Sequence, residues 1–272
     1  MILEAMTWFA KVGRIFFFLA ILSFAVQHFV YAISQSPKSM GYPWGPVPYW
    51  LAYVVGLMLI LIAAARMSSK YATAGTLLLA ILLFGRAIVT FGPMLVSNVR
   101  NGAVWTPLSE LIAMSGATLF LSGMASGSSS TVRIPDRVGR WSSVVGPMLF
   151  GGPLIVFGIE HFVYARYVAT LVPAWIPGHL FWTYLVGVTF IVAAAAILLR
   201  RVTWPATTLL GLMFCSWVFL VHAPRIFANP RNGYEWTSGF VALAMSGASW
   251  ILSSMDSTSV PFAPAATSGA HA

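Results

Sequence analysis

FAVQHFVYA, residues 24–32, returns as FGIEHFVYA at residues 157–165, its histidine 133 positions further on. Each copy sets a histidine and an amide or carboxylate inside an apolar run, which is an expensive place for polar groups unless they have partners or a task. The recurrence is not isolated. Arg100-Asn101-Gly102 reappears as Arg231-Asn232-Gly233, an offset of 131. The same offset joins Trp44 to Trp175, Pro46 to Pro177, Tyr53 to Tyr184, Gly56 to Gly187, Pro93 to Pro224 and Trp105 to Trp236. It also carries Ala113-Met114-Ser115-Gly116-Ala117 onto Ala244-Met245-Ser246-Gly247-Ala248. Shared hydrophobicity does not generate such a ladder, so the sequence reads as an internal duplication. The change of offset from 133 to 131 puts a two-residue deletion in the first loop of the second copy.

The chain is 59% hydrophobic and 8% charged over 272 residues, whereas about a quarter of a soluble domain is charged. Apolar runs near the roughly 20 residues needed to cross a bilayer are expected at 14–34, 48–65, 71–96, 106–125, 145–167, 179–199, 203–227 and 237–254. The expected fold is therefore an all-α integral membrane protein with eight transmembrane helices, arranged as two four-helix bundles. An even number of spans per copy relates the copies by an axis along the membrane normal, as in parallel transporter repeats. The expected domains are 1–125 and 144–254, joined by a cytoplasmic linker at 126–143 and followed by a disordered tail at 255–272. Pro93 and Pro224 predict a kink or an early stop near the ends of the third and seventh runs.

The formal charge of +9 lies between apolar runs rather than on a basic, aromatic-laced stripe, which argues against nucleic acid. Lys11, Arg14, Arg66, Lys70, Arg133, Arg137, Arg140, Arg200 and Arg201 fall on one side of the eight-span topology. Lys38, Arg100, Arg166, Arg225 and Arg231 fall on the other. The positive-inside rule then puts both termini in the cytoplasm, and the expected location is a bacterial or archaeal plasma membrane. Lys11, Arg14 and Val30-Tyr31-Ala32 imitate a signal peptide, but the same FVYA recurs at 162–165, so the first run reads as a retained span. The single cysteine, Cys215, excludes an intrachain disulfide and any Cys-x-x-Cys motif. No nucleotide loop, His-Glu-x-x-His motif or calcium loop is present.

On this topology His28, His161, His179 and His222 gather in or beside the outer leaflet. Helical spacing places Gln27 with Tyr31 and Glu160 with Tyr164, four apart, on shared faces. His28 with Tyr31, His161 with Tyr164, and His222 with Arg225 are three apart. One side of each motif can thus present histidine, tyrosine and an amide or carboxylate together. Phe91 and Pro48 occupy the first-copy positions of His222 and His179, so the second copy is chemically richer. Arg86 is the embedded cation, and Glu110 on the next helix is its candidate ion-pair partner. Glu160 could instead pair with Arg166 or Arg225. The structural alternatives are plain: Trp and Tyr at interfaces anchor spans, Thr106 and Thr237 can cap the helices after Arg-Asn-Gly, Ala113/Ala117 and Ala244/Ala248 suit close packing, and a membrane histidine can simply bond a neighbouring helix.

A first helix ending in Glu/Gln-His-Phe, the proline-rich loop VPAWIPGHLFWTY at 172–184 and a small-residue fourth helix resemble DoxX-like membrane proteins. The resemblance covers both halves and is clearer in the second. It implies a four-helix membrane unit, here in tandem, similar to the small subunit of an archaeal thiosulfate:quinone oxidoreductase and to proteins that associate with redox or thiol-stress partners. It implies no agreed catalytic set. The expected function is a membrane subunit of an oxidoreductase or respiratory-type assembly, not catalytic alone, with the lipid bilayer and other membrane or redox subunits as partners. It would bind quinol, or a partner protein, in the outer leaflet. His161 would hydrogen-bond the quinol oxygen and Glu160 accept a proton, with Tyr164, His222, Arg225 and His179 nearby and Gln27, His28 and Tyr31 as a weaker mirror site. Three other readings stay open. One is haem held by a pair among His28, His161 and His222, one a purely structural subunit, and one transport of a small lipophilic molecule.

Overall fold

A computed structural model describes residues 2–41, 44, 47–68, 70–125 and 135–255. The chain is helical throughout these residues, apart from short connections. The long helices are α1 (Ile2–Ser34), α2 (Tyr49–Met67), α3 (Ala72–Ser97), α4 (Gly102–Ala125) and α5 (Asp136–Val163). They continue with α6 (His179–Leu198), α7 (Thr203–Ala228) and α8 (Gly233–Leu252). Within α7 a π-helical turn, Val218–His222, separates Thr203–Trp217 from Ala223–Ala228. A one-turn helix, Ala165–Ala169, follows α5.

Among the described residues seven of these helices, α1 to α7, are long and apolar enough to cross a membrane. The chain is an integral membrane protein. Large apolar side chains such as Leu61, Ile81 and Val192 are exposed on the outside of the assembly, where a bilayer rather than water is the compatible solvent. α8 differs in composition because it is buried by protein instead: Thr237, Ser246, Gly247 and Ser249 are all within its packed face.

Each long helix packs on its neighbour in sequence from α1 to α8; α8 returns to α1, and α4 meets α8 across the middle. The halves are therefore joined through two seams, α4 on α5 and α8 on α1. At each seam two glycines bring backbones together. A Cβ on Gly116 would lie 2.5 Å from the Gly146 carbonyl oxygen, and one on Gly247 would lie 2.5 Å from that of Gly13. Such approach between helices is what small residues permit. Within each half, Ser115 Oγ donates to the Ala80 carbonyl and Ser246 Oγ to that of Gly211, both at 2.9 Å. These pairs occupy matching rungs of the sequence ladder.

Several expected boundaries move. Residues 136–143, expected in the linker, form the first two turns of α5, opened by Pro135 and Asp136; the rest of the linker up to 134 and the tail from 256 lie outside the described residues. α5 stops at Val163, so Tyr164 caps it instead of continuing it. α3 runs through Pro93 to Ser97. Thr106 and Thr237 do not cap their helices. Asn101 Oδ1 accepts from the Ala103 N–H at 3.2 Å and Asn232 Oδ1 from that of Tyr234 at 3.1 Å. The asparagine of each Arg-Asn-Gly turn thus caps, which moves both helix starts forward by a turn and frees the threonines for the seams.

Candidate functional site

The polar residues of the opening motifs collect where the seams reach the loop end of the bundle. At the α1/α8 seam, Gln27 Nε2 donates to Thr237 Oγ1 at 3.0 Å and to the Gly233 carbonyl at 3.2 Å. Thr237 is fully buried, and its hydroxyl also accepts the Gly41 N–H at 3.1 Å, which stitches the first loop to α8. At the α4/α5 seam the matched residues repeat the bond: Thr106 Oγ1 donates to Glu160 Oε1 at 2.8 Å. Gln27 and Glu160 are thus equivalent seam residues, each held by a threonine of the other half.

Glu110 joins the second seam. Thr106 and Glu110 are four apart on α4 and share the stripe that faces α5, so Glu110 comes within electrostatic reach of Glu160. The expected Arg86–Glu110 ion pair does not form. Arg86 projects from α3 toward the first loop and donates through Nη2 to the Trp44 carbonyl. The reason is angular: Glu110 is committed to the α5 side of its helix, while Arg86 is not on that seam.

The histidines separate from their neighbours. One residue of helix turns a side chain by about 100°, so His161 does not accompany Glu160. Its Nδ1 meets the Phe157 carbonyl oxygen at 2.8 Å, and its ring lies edge-on to Phe190 at 5.2 Å and stacked over Trp217 at 6.4 Å. His28 does the same in the first half, with Nδ1 2.8 Å from the Phe24 carbonyl oxygen and its ring edge-on to Trp44 at 5.2 Å. Only 1% of His28 is exposed. The Cβ of each histidine packs beside a helix-contact glycine, Gly56 for His28 and Gly187 for His161. The expected grouping of histidine, tyrosine and carboxylate on one side therefore splits into a seam facing the other half and an aromatic interior facing its own half.

The tyrosines diverge as well. Tyr164 lies over Gly102 at the start of α4, on the same seam as Glu160. Tyr31 turns to the first loop instead and donates to the Val47 carbonyl at 2.9 Å. His222 sits at the end of the π-turn beside Gly239, with its Nδ1 buried and unbonded among the described residues. Arg225 makes a two-pronged pair with Glu235, Nε to Oε2 at 2.9 Å and Nη2 to Oε1 at 3.1 Å, so Glu160 is not its partner. His179 opens α6 and its carbonyl accepts from Thr183 at 2.9 Å. As haem ligands, His28, His161 and His222 have three separate settings, α2 with the first loop, α6 with α7, and α8.

Sequence reasoning missed the threonines and the seam glycines. The signal was present: Thr106 and Thr237 share a ladder rung, as do Gly116 with Gly247 and Gly13 with Gly146.

A protein-family model described as a domain of unknown function (DUF8561) matches residues 150–245. That stretch holds Glu160, His161, His179 and His222, and leaves α1 to α4 outside it. No curated protein and no solved structure matches the chain.

Proposed function

We propose that the chain is an eight-span membrane subunit of a redox assembly, a tandem DoxX-like unit that takes a quinol-class head group at the α4/α5 seam. α8 is the eighth span. Its low apolar content suits a helix enclosed by α1, α4 and α7, since only lipid-facing positions need to be apolar. Both termini face the cytoplasm, and the seams reach the outer leaflet. The matched glycine crossings, the matched Ser-to-carbonyl bonds and the matched seam bonds support the reading of two copies of one unit.

The observation that carries the functional reading is the convergence of Glu160, Thr106 and Glu110. Embedded carboxylates are costly, and here two of them are placed together. A quinol hydroxyl needs an acceptor at bonding distance for its proton. Glu160 offers one oxygen outside its bond to Thr106 as the acceptor for that hydroxyl. His161 has no part in this site, since it faces the aromatic interior. Purified protein titrated with a quinone analogue tests the reading: Glu160→Gln should keep the fold and lose binding. Wild-type affinity in that variant would remove the assignment.

A purely structural subunit is the second reading. It is favoured by His28 and His161, each bonded to its own helix and packed on aromatic rings. Full function of an assembly carrying both Glu160→Gln and Glu110→Gln would select it.

A further inference from the structure

A groove of about 480 Å³ runs along the α1/α8 seam at the loop end. We propose that it binds one anionic phospholipid, with the phosphate at Arg231 and an acyl chain in the slot below. The walls are apolar: Val26 and Val30 on α1, Trp236 and Phe240 on α8. Val26 and Val30 are 59% and 48% exposed, so the slot opens sideways, toward the surface that faces lipid. Trp236 gives its indole N–H to the Pro230 carbonyl at 2.9 Å and presents an apolar ring to the slot. Gln27 lies at the seam floor with its amide already bonded to Thr237 and Gly233. Ser23 and Ser39 also line the groove, but their hydroxyls are given to the Leu19 and Ser36 carbonyls, which leaves one charged group, at the rim.

Arg231 is that rim group. It is exposed, and among the described residues it has no ion-pair partner. The nearby carboxylate, Glu235, is taken by Arg225 at 2.9 Å. A free guanidinium at the end of a lateral apolar slot matches a phosphate joined to a hydrocarbon chain. A neutral lipophile would leave the cation unmatched, and a soluble anion would leave the slot empty.

The other seam supplies an internal control. Arg100 occupies the rung of Arg231, but there Tyr164 lies over Gly102. Its counterpart Tyr31 is drawn away to Val47, and the longer first loop places Ser39 and Met40 against Gly233 instead. The two arginines therefore have the same sequence setting and different surroundings.

The test is native mass spectrometry of the delipidated full chain with dioleoyl phosphatidylglycerol, dioleoyl phosphatidylcholine or inorganic phosphate. One phosphatidylglycerol per chain should be retained in preference to phosphatidylcholine. Arg231→Gln should weaken retention by about fivefold, the effect of one basic residue at a membrane surface, and Arg100→Gln should not. Val30→Trp, which fills the slot but keeps the cation, should also release the lipid. The proposal fails if Arg231→Gln retains phosphatidylglycerol like the wild type, if Arg100→Gln loses it equally, or if phosphatidylcholine binds as well. Displacement by inorganic phosphate at equal concentration would also overturn the lipid in favour of a soluble anion. None of these readouts depends on quinone binding at Glu160.

Discussion

Gln27 and Thr237 stand 210 residues apart in sequence and share a 3.0 Å hydrogen bond inside the protein. Thr106 and Glu160, on the matching rungs, are bonded at 2.8 Å. The first helix of each half is thereby fastened to the last helix of the other.

Removing the two threonine hydroxyls should have unequal effects. Thr237→Val strips the acceptor from both Gln27 and the Gly41 N–H at a fully buried position, which should cost about 1–3 kcal/mol. Thr106→Val removes one bond from a carboxylate that has a second, freer oxygen, and should cost less. Thermal unfolding of the two variants in one detergent measures the difference. Equal losses would contradict the asymmetry of the seams.

The glycine crossings should tolerate nothing larger. Gly116→Ala drives a methyl against the Gly146 carbonyl and the Phe150 backbone, neither of which can swing aside, so about 1–3 kcal/mol of stability should be lost. Gly85 is also helical but has nothing within 4 Å of its would-be Cβ. Gly85→Ala should be neutral or gain about 0.5–1 kcal/mol from helix propensity. The same unfolding assay reads both variants, and a stable Gly116→Ala protein would refute the close crossing.

Ser115→Ala and Ser246→Ala should destabilise by the same small amount, about 0.6 kcal/mol, typical of a hydrogen bond between membrane helices. Both hydroxyls are buried and bonded at 2.9 Å on matching rungs. A large effect at one site and none at the other would argue that the halves are not equivalent in packing.

The Arg225–Glu235 pair should matter little despite its two-pronged geometry. The arginine side chain is 41% exposed, so solvent screens the attraction, and Glu235→Gln should cost no more than about 1 kcal/mol. That cost should shrink in high salt. A loss that is larger and independent of salt would mean the pair is enclosed by something else, such as a partner subunit.

The fold was legible where periodic repetition and hydrophobic length speak for themselves. The spans from α2 to α7 fall within a turn or two of expectation at most ends, because apolar runs closed by Pro, Gly and charges leave a helix little choice. α5 and the starts of α1, α4 and α8 are the exceptions, and α1 begins at Ile2 rather than at residue 14. Asn101 and Asn232 offered capping oxygens closer to the Gly than Thr106 and Thr237 did, and Pro135-Asp136 started a helix inside a charged linker. Which residues share a site was less legible. Spacing put His161 on one side with Glu160 because it counts residues along one helix and ignores which neighbour each face meets, and Arg86 was matched with Glu110 only because an embedded cation and a carboxylate sat on successive helices. The seams are tertiary: Glu160 meets Thr106 only because α5 packs against α4 through Gly146 and Gly116. The ladder held that information in its paired glycines and threonines, but only contact between halves gives those pairs their meaning.

The most direct test of the quinol assignment is photolabelling of native membranes with an azido-quinone, followed by peptide mapping. The account predicts label on the peptides of α4 and α5 around Thr106, Glu110 and Glu160, and its loss in Glu160→Gln protein of unchanged stability. Label that persists in that variant, or that falls on the α1/α8 groove instead, would contradict it.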